Sequence, residues 1–257
     1  MLMHALCYVM TGIDGARQEF LSGCIIGQRV VVGCGNSDIN LFDIGRSTLL
    51  RKWSPFHAWS CNDMDRGVDF VCKFGMEVFL SVSAERIAHH DMRVSWNSTK
   101  IICQSDYTIN EAIISSCGNL MAVSNTGNQV NVFDCRNFRT ALYKLSLGEP
   151  APILDNVESH QRDIRPRYAN RGDEGVNSMC FLHQNRSTLV CGSGNGNIGI
   201  FDLSLGDPKL SLQNGTHLRC VNGVAASLYN GKDFFVSCSD DTAVGIYDGG
   251  EQYNSLR

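Results

Sequence analysis

Ser237-Cys238-Ser239-Asp240-Asp241-Thr242-Ala243-Val244-Gly245-Ile246-Tyr247-Asp248 decides the fold, because the chain writes this form more than once. Gly192-Ser193-Gly194-Asn195-Gly196-Asn197-Ile198-Gly199-Ile200-Phe201-Asp202 repeats it, as do Asn125-Thr126-Gly127-Asn128-Gln129-Val130-Asn131-Val132-Phe133-Asp134 and Gly35-Asn36-Ser37-Asp38-Ile39-Asn40-Leu41-Phe42-Asp43. Each copy is a tight polar turn, an alternating apolar strand, an aromatic and then Asp. A unit of this kind cannot bury its own hydrophobic face, so it has to stack against copies of itself.

A fifth, degenerate copy over residues 78–91 ends in His89-His90-Asp91 and fills the gap between the first two clear ones. The closing residues are then Asp43, Asp91, Asp134, Asp202 and Asp248, at intervals of 48, 43, 68 and 46. Apart from the third, these match the ~40–45 residues of a four-stranded blade. Turn residues divide each unit into strands. Within the third strand the alternation is strict: Ile39/Leu41, Val130/Val132, Ile198/Ile200 and Val244/Ile246 point to one side. A period of two is what a sheet packed against a neighbouring sheet requires. The next residue (Phe42, Phe133, Phe201, Tyr247) fills the space between blades, and the Asp after it accepts turn N–H bonds.

This pattern resembles the WD40 repeat over nearly the whole chain. The resemblance implies an all-β fold, a β-propeller of about five four-stranded WD40-like blades. The units run over about 11–53, 68–103, 110–145, 175–213 and 220–248, in a single domain spanning 1–257. Phe or Tyr stands where the repeat has Trp, and Gly215-Thr216-His217 is the nearest approach to its Gly-His opening. The repeat's His-Ser-Asp-Trp network is therefore expected to be mostly absent, with apolar packing holding the blades. The last unit has three strands up to Asp248, so the apolar run 3–10 is expected to complete that blade and close the propeller.

Composition narrows the function. A formal charge of −4 and no polybasic run argue against a nucleic-acid surface. No apolar stretch reaches the ~20 residues of a membrane span, and the opening lacks the basic start of a signal peptide. The 12 cysteines are scattered without a CxxC pair, which fits reduced core thiols, at Cys72, Cys180, Cys191 and Cys238 among others, in a cytoplasmic or nuclear protein. No Cys/His pairs sit at metal-ligand spacing, so no metal and no cofactor is expected.

The long interval carries a charged, proline-containing insertion at 148–173, with Arg162, Arg165, Arg167 and Arg171 close together. It reads as a solvated loop or a partner-binding element, since arginine grips acidic or phosphorylated groups bidentately. Trp59, in a polar loop between the first two units, is a further contact candidate. His90-Asp91-Met92-Arg93 and Phe133-Asp134-Cys135-Arg136 place Arg two residues beyond the Asp in adjacent units. This looks like the WDxR motif by which substrate receptors dock on the adaptor of cullin-4 ubiquitin ligases, which would give Arg93 and Arg136 that role. The bland reading is a local turn salt bridge. His89 and His90 are weak metal or base candidates, and no nucleophile elbow, P-loop or His-Glu-x-x-His occurs. The expected function is a non-catalytic scaffold that presents loops to other proteins through Trp59, Arg93, Arg136, Arg162, Arg165 and Arg167. Receptor duty for a ubiquitin ligase and hydrolysis of small esters are the alternatives.

Overall fold

The computed structural model describes residues 20–56, 67–94, 99–147, 175–204, 206–208, 210–213, 217–248 and 255–256. Among them every regular element is a β-strand. Five antiparallel four-stranded sheets follow one another along the chain, each with its strands in sequence order. The first holds Phe20–Ile26 (β1), Arg29–Cys34 (β2), Ile39–Asp43 (β3) and Thr48–Trp53 (β4). The second holds Phe70–Lys73 (β5), Val78–Ser83 (β6), Arg86–Asp91 (β7) and Lys100–Gln104 (β8). The third is Ile109–Ile114 (β9), Leu120–Asn125 (β10), Gln129–Asp134 (β11) and Tyr143–Ser146 (β12), and the fourth is Val176–Phe181 (β13), Thr188–Ser193 (β14), Ile198–Asp202 (β15) and Leu210–Gln213 (β16). The last contains Val221–Tyr229 (β17), Lys232–Ser239 (β18), Val244–Asp248 (β19) and Ser255–Leu256 (β20).

The fourth strand of the last sheet differs from expectation. Ser255–Leu256 pairs with Tyr247 and Ile246, so the residues after Asp248 supply that strand. The run 3–10, expected to fill this place, lies outside the described residues, as does the insertion at 148–173.

The repeated turn has a conformational signature that its residue types conceal. Between the second and third strands of every sheet one residue is left-handed: Ser37 (φ 68°), Ala84 (φ 53°), Asn128 (φ 59°), Gly196 (φ 85°) and Thr242 (φ 68°). This conformation is costly for a side chain with a Cβ, and most so for the β-branched Thr242. It recurs because the strand register on either side demands it.

The chain divides into two compact units, Met1–Ala112 and Ile113–Arg257. In the first, Val31, Ile39 and Leu41 of one sheet pack on Val68, Val71 and Phe79 of the next. In the second, Val130 and Val132 meet Val176, Met179 and Phe201, while Ile198 and Ile200 meet Val221, Val224, Phe235 and Tyr247. Third-strand aliphatics therefore face forward and third-strand aromatics face back. The approach is close because the residue beside the first aliphatic is small. A Cβ added to Gly33 would sit 2.7 Å from Val68 Cγ1, and one added to Gly192 would sit 2.5 Å from Val221 Cγ1. Dispersion and water exclusion together make this contact the main source of stability.

A polar network, expected to be mostly absent, is complete in the last sheet. His217 Nδ1 lies 3.1 Å from Asp241 Oδ2, and its Nε2 lies 2.7 Å from Ser237 Oγ. Ser237 Oγ is in turn 3.3 Å from Tyr247 Oη. A carboxylate only accepts, so Nδ1 carries the proton toward Asp241, and Ser237 Oγ links Nε2 to Tyr247 Oη. Asp241 also accepts the N–H groups of Leu218 and Ala243, which ties the turn to the strand that precedes it. Tyr247 thus ends the network, and apolar packing does not hold this sheet alone. Cys238, read from sequence as a buried thiol, is exposed, whereas Cys191 is buried.

Replacing His217 by Ala removes a partner from Asp241 and from Ser237 and is expected to cost about 3 kcal/mol. Urea unfolding of the full chain, followed by tryptophan-independent far-ultraviolet dichroism, checks the value.

Candidate functional site

In the first four sheets the Asp that closes the third strand organises the turn after it. Asp43 Oδ1 accepts the N–H of Arg46 at 2.9 Å, and Asp202 Oδ1 accepts that of Ser204 at 2.9 Å. In the second and third sheets the same carboxylate also holds a side chain. Arg93 donates its backbone N–H and Nε–H to Asp91 Oδ1 at 3.0 and 2.9 Å, and Nη2 to Oδ2 at 2.6 Å. Arg136 repeats this on Asp134 at 2.9, 2.9 and 2.6 Å. Each is a two-pronged fork with parallel N–H···O bonds, a geometry that guanidinium and carboxylate share by shape.

The forks present their guanidinium groups to solvent: the side chains of Arg93 and Arg136 are 69% and 83% exposed. Both carboxyls are held down at about 2, first by the side-chain hydrogen bonds from their arginines and then by the arginine backbone N–H. The same pairing raises Arg93 and Arg136 above the ordinary arginine value. One face of each guanidinium is thereby committed, and Nη1 with the outer edge stays available to a partner's acid or carbonyl. The fork orients the cation before any partner arrives, which lowers the entropy cost of an encounter. The local salt bridge and a docking role are therefore compatible. The two forks belong to different compact units, and each is a local object. Trp59, Arg162, Arg165 and Arg167 lie outside the described residues.

His90 is not a free base or ligand. It sits immediately before Asp91, at the position that Phe42, Phe133, Phe201 and Tyr247 hold in the other copies. Its ring stacks on Phe79 with centroids 4.6 Å apart and planes at 16°, as Tyr247 stacks on Phe235 at 4.6 Å and 13°. Its Nε2 lies 2.7 Å from Ser81 Oγ, matching the tie of Tyr247 to Ser237. Burial, with repulsion from His89 behind it, lowers its pKa to about 3. The cavity beside it, between Trp53, Phe79, His90 and Thr99, measures about 20 Å³, enough for a single water. Sequence reasoning treated this copy as degenerate, although the place of His90 before the Asp was the signal of its structural role. His89 packs edge-on against Phe74. Among the described residues no group of three or more His, Cys, Asp and Glu side chains could hold a metal ion.

Asp241, His217 and Ser237 also have the order of an acid, base and nucleophile. Ser237 is 1% exposed, between the layers of the sheet core, so its hydroxyl is a strut and not a group that meets a substrate.

No family model matches the chain, and no curated protein matches it. A solved structure does. The chain is similar to one from a crystal structure titled as the mitotic checkpoint complex, with a TM-score of 0.69 and 15% identity. The match covers 93% of this chain and 64% of that chain, so this protein spans less than two thirds of its neighbour's length. At this identity the likeness speaks to fold alone. Together with five consecutive four-stranded meanders it supports a β-propeller fold.

Two titrations test the site. In the Arg136→Ala protein the Asp134 carboxyl is expected to rise from about 2 toward the ordinary ~3.9 without reaching it, because the backbone N–H of residue 136 is kept, as read from its carbon chemical shift against pH. His90 is held neutral in the fold and has an ordinary pKa of ~6.5 when unfolded, so protonation favours the unfolded chain. Its stability contribution is complete above ~6.5 and is lost as pH falls toward about 3. The His90→Tyr protein should lack this part of the acid sensitivity in denaturant midpoints measured from pH 7 to 4.

Proposed function

We propose that this protein is a WD40-type propeller acting as a non-catalytic scaffold for protein partners, with the Asp91–Arg93 and Asp134–Arg136 forks as contact points. The observation that carries this reading is the exposure of two arginines held in one repeated geometry at the ends of rigid strands. Arginine is over-represented among residues that dominate interfaces, and preorganisation adds to what each can contribute. A likeness to a chain from a multiprotein complex agrees with such a role. The free thiols of the described cysteines fit a reducing compartment, cytoplasm or nucleus.

The finer reading is reception of substrates for a cullin-4-type ubiquitin ligase, with Arg93 and Arg136 docking on its adaptor. It is favoured by the recurrence of Asp-x-Arg at the same strand end in consecutive sheets. Co-precipitation of the full chain with that adaptor tests it. The double Arg93→Ala, Arg136→Ala protein is expected to lose binding at least tenfold, since each arginine truncation at a hot spot costs about 1–2 kcal/mol. Undiminished capture by the double variant rejects the adaptor reading. Crosslinking of the wild-type chain in cells with no partner recovered would reject the scaffold reading as a whole.

A further inference from the structure

In the first four sheets the residue after the closing Asp sends its backbone N–H to the turn ahead of the second strand. Ile44 donates to Gln28 O at 2.9 Å, Met92 to Glu77 O at 2.8 Å, Cys135 to Asn119 O at 2.9 Å and Leu203 to Ser187 O at 2.8 Å. Two residues before those acceptors stand Ile26, Gly75, Cys117 and Asn185. Of these four sheets only the third has a thiol at both positions. Its turn holds the Cys117 sulfur with two donors. Gly118 gives its N–H to Ser115 O at 2.8 Å and takes φ 73°, which folds the chain back and brings the Asn119 N–H to the sulfur. Ser115 Oγ lies 3.3 Å from Cys117 Sγ and accepts the Leu120 N–H at 3.0 Å, so its own hydrogen is left for the sulfur. These groups all belong to the unit Ile113–Arg257.

The two thiols are pushed in opposite directions. The Ser115 hydroxyl first, and then the Asn119 N–H, hold Cys117 below the ordinary thiol value. Burial, then the charge of Asp134, then that of Cys117, push Cys135 up to about 11. The last of these operates because the two thiols are close. A ready thiolate beside a protonated thiol is the division between an attacking and a resolving cysteine. We propose that Cys117 and Cys135 form a peroxide-responsive pair, Cys117 attacking and Cys135 resolving. The Cys117 thiolate attacks one oxygen of a hydroperoxide and the O–O bond breaks. The departing oxygen takes a proton and leaves as water or alcohol, and the sulfur, oxidised by two electrons, becomes a sulfenic acid. The Cys135 sulfur then attacks that sulfur, gives up its proton, and the sulfenic oxygen leaves as water. The product is a Cys117–Cys135 disulfide, which a dithiol reductant returns to two thiols by exchange. Cys135 is the middle residue of Asp134-Cys135-Arg136, so the bond fastens that arginine fork to the turn between β9 and β10. A transient disulfide of this kind is compatible with a reducing compartment. The chemistry lies within one chain and is independent of what the fork binds.

The test adds hydrogen peroxide in modest excess to the reduced full chain and reads each cysteine by peptide mass after alkylation and non-reducing digestion. A protease that cuts before Asp separates Cys103, Cys117 and Cys135 at Asp106 and Asp134. The Cys117 and Cys135 peptides are expected to become joined roughly fivefold or more faster than Cys238 is oxidised, Cys238 being the other exposed cysteine among the described residues. Excess dithiol should return both to free thiols. In Cys135→Ser the Cys117 sulfur should stop at the sulfenic acid and be trapped by a cyclic diketone, and in Cys117→Ser the Cys135 thiol should stay reduced over the same time. Oxidation of Cys117 no faster than that of Cys238 overturns the proposal. So does a Cys135 that stays free while Cys117 is oxidised, or a Cys117 disulfide that joins two chains on a non-reducing gel. The wild-type chain alone decides the pairing, so the outcome stands even where a variant fails to fold. No readout uses a partner, so this result and adaptor capture through Arg93 and Arg136 fail separately.

Discussion

The middle sheets of this protein are apolar on both faces, and that double-sided burial is the constraint from which the other features follow. In the fourth sheet Leu189, Cys191 and Phe201 look toward one neighbour while Val190, Ile198 and Ile200 look toward the other. Such a sheet is insoluble alone and has to be one layer of a stack. Close stacking needs a gap in the side-chain surface, supplied at Gly33 and Gly192, into which a valine of the next sheet descends. Larger residues there would hold the layers apart and forfeit dispersion contacts across the whole interface.

Several polar groups of this interior are tied to one another. His217, Ser237 and Tyr247 form one chain of contacts ending on Asp241, and Ser81 with His90 forms a shorter version in the second sheet. The His217 tie joins the segment ahead of the last sheet to its second strand and the turn beyond it, whereas Ser81 and His90 join the two central strands of the second sheet. The charged chemistry is left to the strand ends. There the closing Asp recruits turn N–H groups and, in two sheets, an arginine. The ordered turns and the exposed arginine forks thus come from one repeated residue used in two ways.

Most strands were legible because their information is local. The alternation of Val130/Val132 or Ile198/Ile200 and the following Phe-Asp mark a strand and its end without any knowledge of the rest. The network of His217 was not legible, because its partners Ser237 and Asp241 are 20 and 24 residues away and no Gly-His pair marks it. His90 was misleading for a related reason. A histidine pair suggests chemistry by type, and only the stack on Phe79 reveals that it stands in for an aromatic. The Asp-x-Arg pattern was visible, but whether the arginine folds back on its Asp depends on turn geometry that the pattern does not encode.

The sequence by itself determined that the chain is a series of antiparallel sheets and where each third strand ends, since periodicity and turn residues act over a few positions. Only the tertiary structure decided which faces are covered. It covered Val130 and Val132 with Val176 and Met179, and Ile198 and Ile200 with Val221 and Val224, and it completed the last sheet with Ser255–Leu256. The reason is physical: burial belongs to pairs of surfaces, and the partner of a surface is chosen by packing between segments far apart in the chain.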